Sequence, residues 1–262
     1  MKGIDCLCRY VWCEWIKRRR SLGSWVVIVG ATFTPAIILV ARLVNARVLP
    51  DLYARDDFWQ SLWKSSWESM AVFFAPMACI LIPSLVTQIE YRSNGWKQVR
   101  SLPLSSFELY SGKLAIILAL VVQLFALFDL AVYLSGVIPC VLPGVPYPRG
   151  AFPLGGFLND TGRYLLSSLP VVTAEYMLSL QFKNFLVPIG IGFMTWVGAL
   201  AGLSSRYGYL IPYSYSMMDY LRTYPKSRIP VVPMPLDWLA MAYSTAFAVA
   251  GYVLFVRKSA KG

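Results

Sequence analysis

Six apolar runs dominate the sequence, each near the roughly 20 residues that a helix needs to cross a bilayer. They are Ser24 to Ala41, Ser69 to Ile89, Leu114 to Ile138, Tyr164 to Leu180, Phe185 to Leu203 and Trp238 to Val256. A soluble core cannot hide blocks of this length. Charged residues make up 14% of the chain, against roughly 25% in an ordinary soluble domain. The aromatic content of 15% excludes disorder. The fold class is therefore an all-α polytopic membrane protein, a single transmembrane domain over 1–262 with six transmembrane helices. The first, second, fifth and sixth runs carry no charge, whereas the third holds Asp129 and the fourth Glu175.

An even number of spans places both termini on one side, and the placement of charge chooses the side. With the N-terminus inside, the inner pieces hold Lys2, Arg9, Lys17 to Arg20, Arg92, Lys97, Arg100, Lys113, Lys183, Arg257, Lys258 and Lys261. These are more than half of the 24 basic residues, gathered in the shorter loops, and positive-inside counting makes both termini cytoplasmic. The net charge of +11 thus flanks membrane spans rather than forming a separate nucleic-acid-binding surface. The basic leader and the length of the first run read as an uncleaved anchor rather than a signal peptide. Cys6, Cys8, Cys13, Cys79 and Cys140 are scattered over presumed inner, membrane and outer positions and form no disulfide framework. Cys6-Leu-Cys8 lacks the further ligands of a zinc site.

Between the spans, three segments have readable structure. In the leader (1–20), Ile4, Leu7, Cys8, Val11, Trp12, Trp15 and Ile16 follow helical spacing. Such a basic amphipathic helix lies in the membrane interface, in contact with lipids. It serves as an anchor or as an elbow that moves with an inner partner. The segment 90–104 begins at Glu90, turns at Asn94-Gly95, and carries Trp96, Val99 and Leu102 at a three-residue spacing before Pro103 stops the helix. Ser105 and Glu108 then match a capping box that opens the third span. The segment reads as a solvated interfacial loop or as a docking element for another protein. The outer loop 204–237 is rich in Tyr and Pro, and its tyrosines form either a belt at the membrane boundary or, if the stretch from Leu210 to Met218 is re-entrant, a cap over an outward exit.

Within the spans, Asp129 and Glu175 cost about 2.5 to 3.5 kcal/mol each to insert, so they face the bundle interior. Substrate contact, proton handling and polar contact between helices are the available roles. Pro35, Pro76 and Pro83 predict local kinks. Gly198-Ala-Leu-Ala-Gly202 permits close helix approach, and Asn159-Asp-Thr161 matches a glycosylation sequon, as such short patterns often do by chance. No phosphate-binding loop of the GxxxxGK[ST] kind occurs, and the chain has no histidine. Energy for any pumping comes either from an ion gradient acting on Asp129 or Glu175, or from an ATPase on another chain.

The succession of Glu14-Trp-Ile-Lys17, Pro35, Glu90, Gly95-Trp96-Lys97, Leu102-Pro103, Lys113 and the stretch from Leu178 to Gly190 resembles the permease subunits of ABC-2 type transporters, in particular the branch serving lantibiotic and bacitracin-type peptide immunity. The resemblance covers nearly the whole chain. It implies a non-catalytic subunit of an exporter in the bacterial cytoplasmic (inner) membrane, with an ABC ATPase subunit as partner and a second copy or a sister permease beside it. It implies no cofactor on this chain, ATP and Mg being bound by the partner. It also implies that the segment after the second span is a cytoplasmic coupling helix, a role carried to Glu90, Gly95, Trp96, Lys97, Leu102 and Pro103. The competing readings are a proton-coupled secondary transporter using Asp129 and Glu175, and an intramembrane enzyme or passive scaffold. No internal repeat supports the secondary transporter, and no catalytic set supports the enzyme.

Overall fold

The computed structural model describes residues 10, 12, 15, 16, 21–92, 104–142, 144–225 and 235–260. Helix α1 spans Leu22–Val44, and a 3-10 turn at Ala46–Val48 leads to the short α2, Leu49–Tyr53. Helix α3, Phe58–Ser69, continues through a π turn at Met70–Phe74 into α4, Ala75–Arg92. Then come α5 (Ser106–Val137), α6 (Leu154–Gln181), α7 (Leu186–Ala201), α8 (Tyr215–Thr223) and α9 (Leu236–Ala260). Among the described residues every regular element is helical.

Four of these stretches are long and apolar enough to cross a membrane: Leu22–Val44, Phe58–Tyr91, Ser106–Val141 and Leu236–Lys258. Helix α7 is apolar but has 16 residues. Helix α6 has 28 residues but falls outside that group. Its first third carries Asn159, Asp160 and Arg163, which dilute its apolar character. The six expected spans thus divide into four that length and composition alone identify and two, α6 and α7, that they do not. The helices also overrun the apolar runs, because a helix continues as long as its backbone bonds propagate, whatever the polarity of its outer turns.

Helix α6 is the centre of the bundle, packed most extensively on α9 and α4, while α1 lies along α5 and α4. Burial follows this order: 67% of the most apolar window of Phe58–Tyr91 is buried inside the protein, against 22% in α1 and 17% in α9. Helices α1 and α9 therefore present most of their apolar surface outward, as lipid-facing helices do.

The predicted capping box opens α5. Glu108 N donates to Ser105 Oγ at 3.2 Å and Ser105 N donates to Glu108 Oε2 at 2.7 Å, satisfying two backbone donors that the first turn leaves free. The predicted proline positions behave differently from one another. Helices α1 and α4 run on through Pro35 and Pro83, whereas Pro76 is the second residue after the π turn at Met70–Phe74. Pro76 has no N–H to offer the carbonyl of Val72. That oxygen instead accepts from Trp196 Nε1 at 3.2 Å, so α7 repairs the ladder that the proline breaks.

Near the α3 end, Trp63 stacks on Phe157 with centroids 3.9 Å apart, and Trp67 stacks on Tyr164 at the same distance. Arg42 donates to Ser135 O at 3.0 Å and Tyr53 to Gly136 O at 2.8 Å. The last carbonyls of α5 thus meet a cation and a hydroxyl, which complements the helix dipole. Of the leader, Tyr10, Trp12, Trp15 and Ile16 are described. Tyr10 is buried with Leu109, whereas Trp12 is 64% exposed. The rest of the expected interfacial helix lies outside the described residues.

Candidate functional site

Among the described residues three polar assemblies interrupt the apolar bundle, one at each end and one at its centre. At the first end, Glu90 near the C-terminus of α4 and Lys113 two turns into α5 form an ion pair at 3.4 Å, with the side chains 2% and 1% exposed. These two residues bracket the segment 93–103, so the pair ties together the ends of a chain reversal. A buried pair of this kind needs good geometry to offset the loss of hydration. Beside it, Lys258 Nζ near the end of α9 donates to Leu180 O at 2.7 Å and to Gln181 O at 2.9 Å, and lies 3.2 Å from Tyr91 Oη. Tyr91 itself donates to Leu180 O at 2.7 Å. The C-terminal carbonyls of α6, which have no helical partner of their own, are therefore held by residues from α4 and α9. One layer further in, Tyr176 donates to Tyr110 O and Tyr110 to Ala248 O. These bonds join α5, α6 and α9.

At the centre, Glu175 is fully buried on α6. Tyr213, from the turn Pro212–Ser214, donates to Glu175 Oε1 at 2.6 Å. Among the described residues the second oxygen, Oε2, has no hydrogen-bond partner. Gly192 on α7 faces the same carboxylate, and a Cβ there would collide with it. A glycine at this position is thus the space into which the acid fits. Nearby, Ser167 donates to Asp219 on α8, and Ser168 and Ser216 hydroxyls lie 3.3 Å apart. The segment 208–223 is thereby bonded into the flank of α6. Tyr213, Tyr215 and Tyr220 are buried, while Tyr207 is exposed. For those three residues the expectation of a boundary belt fails: their hydroxyls bond to Glu175, Tyr209 O and Glu68 instead.

At the other end of α5, Asp129 accepts both contacts of the Thr161 hydroxyl, at 2.9 and 3.1 Å. The neighbouring Asp160 accepts from Trp63 Nε1 at 3.2 Å. Thr161, the last residue of the sequon, is thus committed to a contact between helices.

Of the sequence-predicted residues, Glu90 is described and buried; Gly95, Trp96, Lys97, Leu102 and Pro103 lie outside the described residues. Glu175 is buried and Asp129 is half-buried, and they are not brought together: each has its own partner from a different segment. Sequence reasoning missed Lys258, Tyr91 and Tyr213. The signal for Lys258 was its place in the last turn of an apolar helix, where a basic residue was read only as a marker of topology. Among the described residues nothing lies within contact distance of a Cβ added at Gly198, so its small size serves no packing against them.

Comparison with protein-family models matches residues 10–199 to the ABC-2 family transporter protein. The chain belongs to the ABC-2 transporter family. As an ABC-2 transporter protein it is a multi-pass membrane component of an ABC transporter, a permease whose family membership implies an ABC ATPase as partner. The matched region contains the Glu90–Lys113 pair, Asp129 and Glu175 together with Gly192, and stops before Tyr213. The ABC-2 family model therefore covers one half of the Tyr213–Glu175 contact. A search of curated proteins finds no match for the chain.

Proposed function

We propose that this chain is the permease half of an ATP-driven exporter that expels an amphipathic peptide or lipid-like cargo from the membrane, in the manner of the peptide-immunity transporters it resembles. It has six spans, with α6 and α7 as the fourth and fifth, and both termini in the cytoplasm of a bacterial cell. It works beside a second copy or a sister permease, and ATP and Mg are bound by a separate ATPase. The observation that carries this reading is the buried Glu90–Lys113 pair. It fixes the two ends of the segment 90–104 to the bundle, so that a push on Gly95, Trp96, Lys97, Leu102 or Pro103 is delivered to α4 and α5 instead of being absorbed by a slack loop. Lys258 and Tyr91 link the same end to α6, the helix at the centre of the bundle.

The test is purification from gentle detergent with natural partners. An ATPase co-elutes with the wild-type chain, and W96A/K97A uncouples its turnover from transport. Reproducible absence of an ATPase sinks the reading. A proton-coupled carrier is the second reading, favoured by the buried Glu175 with its unpartnered Oε2. Transport that follows an imposed proton gradient without ATP, and stops in E175Q, would establish it instead.

A further inference from the structure

Between the start of α6 and the Asp129 end of α5 the surface opens into a groove of about 350 Å3. Trp63, Tyr133, Phe152 and Phe157 form its aromatic walls, and among the described residues Asp129 is the charged one in its lining. The volume falls in the range of small-molecule sites, which run from roughly 300 to 1,000 Å3. We propose that this groove binds the cationic head of an amphiphile, a quaternary or primary ammonium carrying an alkyl chain and no phosphate.

Four observations converge on this chemistry. A carboxylate offers about four acceptor positions, and the Thr161 hydroxyl is its hydrogen-bond donor here, which leaves acceptor capacity toward the groove. Aromatic faces attract organic cations through their quadrupoles, and cages of such rings recognise quaternary ammonium groups. Tyr133 and Phe152 stand edge to face at 5.0 Å, while Trp63 and Phe157 are stacked on each other and form the rigid back wall. At the mouth, Leu130, Leu154 and Leu158 are each more than half exposed, an apolar track for an alkyl tail. Among the described residues no Lys or Arg lines the groove, so none of them answers a phosphate there; Lys64, the basic neighbour of Trp63, is turned over the Tyr224 ring. A hard metal ion is a poor fit, since it takes six or more oxygen ligands and among the described residues no three His, Cys, Asp or Glu side chains are grouped to hold one. A second carboxylate, Asp160, adds negative potential behind Trp63 through its bond to the indole. This ligand site stands whether or not the chain proves to be driven by ATP.

The experiment is equilibrium dialysis of radiolabelled octyltrimethylammonium against the full chain in phosphatidylcholine nanodiscs, with empty nanodiscs subtracted. Saturable binding of one probe per chain is expected, weakened about tenfold or more in D129N, which keeps the shape and the Thr161 contact but removes the charge. F152L removes a ring and no charge, and it weakens binding by about threefold or more; it carries the test should D129N fail to assemble. Equal binding by wild type and both variants overturns the proposal, as does equally strong competition by uncharged octanol. Loss of probe binding when phosphatidylethanolamine is added to the nanodiscs assigns the groove to a lipid headgroup and overturns it too.

Discussion

Tyr213 and Glu175 are joined by a 2.6 Å hydrogen bond, although 38 residues separate them and one lies in a turn while the other lies in the C-terminal part of the most central helix. The bond fastens the segment following α7 onto α6. It also provides one partner for a carboxyl group that the apolar bundle would otherwise strand, and an unsatisfied buried polar group costs about 1–3 kcal/mol.

Removing the Tyr213 hydroxyl should therefore destabilise the protein by about 1–3 kcal/mol. The Tyr213→Phe chain is expected to melt at lower temperature in detergent. Combining it with Glu175→Leu should cost less than the sum of the single changes, because the stranded acid is gone. Strict additivity in this double-mutant cycle would show that the two residues do not act on each other.

Cutting the Glu90–Lys113 pair from one side withdraws the opposite charge from a buried ionised group. Lys113→Met should cost about 3–5 kcal/mol and depress the yield of folded protein, and Glu90→Gln should behave similarly. The double change Glu90→Leu/Lys113→Met should restore much of the stability. If the pair also transmits force, that stable double variant should hydrolyse ATP with its partner yet transport poorly. Thermal unfolding and coupled transport assays separate the two effects.

Trp196 and Pro76 form a third testable relationship. Trp196→Phe keeps a ring but withdraws the N–H from Val72 O, at an expected cost of about 1–3 kcal/mol. Replacing Pro76 by Ala restores a backbone donor in the same turn. The double variant should then be more stable than Trp196→Phe alone, as measured by its melting temperature.

Asp219 on α8, outside the spans, has its carboxyl raised above the usual aspartate range because burial penalises the charge. The Ser167 hydroxyl, Arg163 and Arg222 oppose the shift, and Asp237 adds to it. A raised folded-state pKa means that the fold favours the protonated acid. Its stabilising contribution is complete below the ordinary aspartate pKa and is lost as pH rises through the folded-state value. Asp219→Asn should flatten the stability-against-pH curve above the ordinary aspartate range, and an unchanged curve would refute the assignment.

What was legible in the sequence was local. The capping box at Ser105 and Glu108 needs only residues three apart, and it is present as read. The apolar runs located the helices, since hydropathy integrates over one segment at a time. Long-range pairing was hidden: Glu90 and Lys113 are 23 residues apart, and each looked like an inner-surface charge. Helix α6 was underestimated because its apolar run begins at Tyr164, ten residues after the helix does. Its Asp160 and Thr161 find partners on α3 and α5, so polarity there signals packing and not the end of a helix. The proline at 76 marked a disturbance, but the π turn and its repair by Trp196 depend on α7 lying alongside.

That π turn also acts as a gear. One residue more than an α turn passes through it, so whatever follows is rotated by about 100° against what precedes. The chain uses the offset to aim Trp63 and Trp67 at the first half of α6 and the residues beyond Ala75 at its second half and at α7. Deleting a single residue between Met70 and Phe74 would leave every side chain of α3 and α4 intact and still turn one half of the helix out of mesh with the bundle.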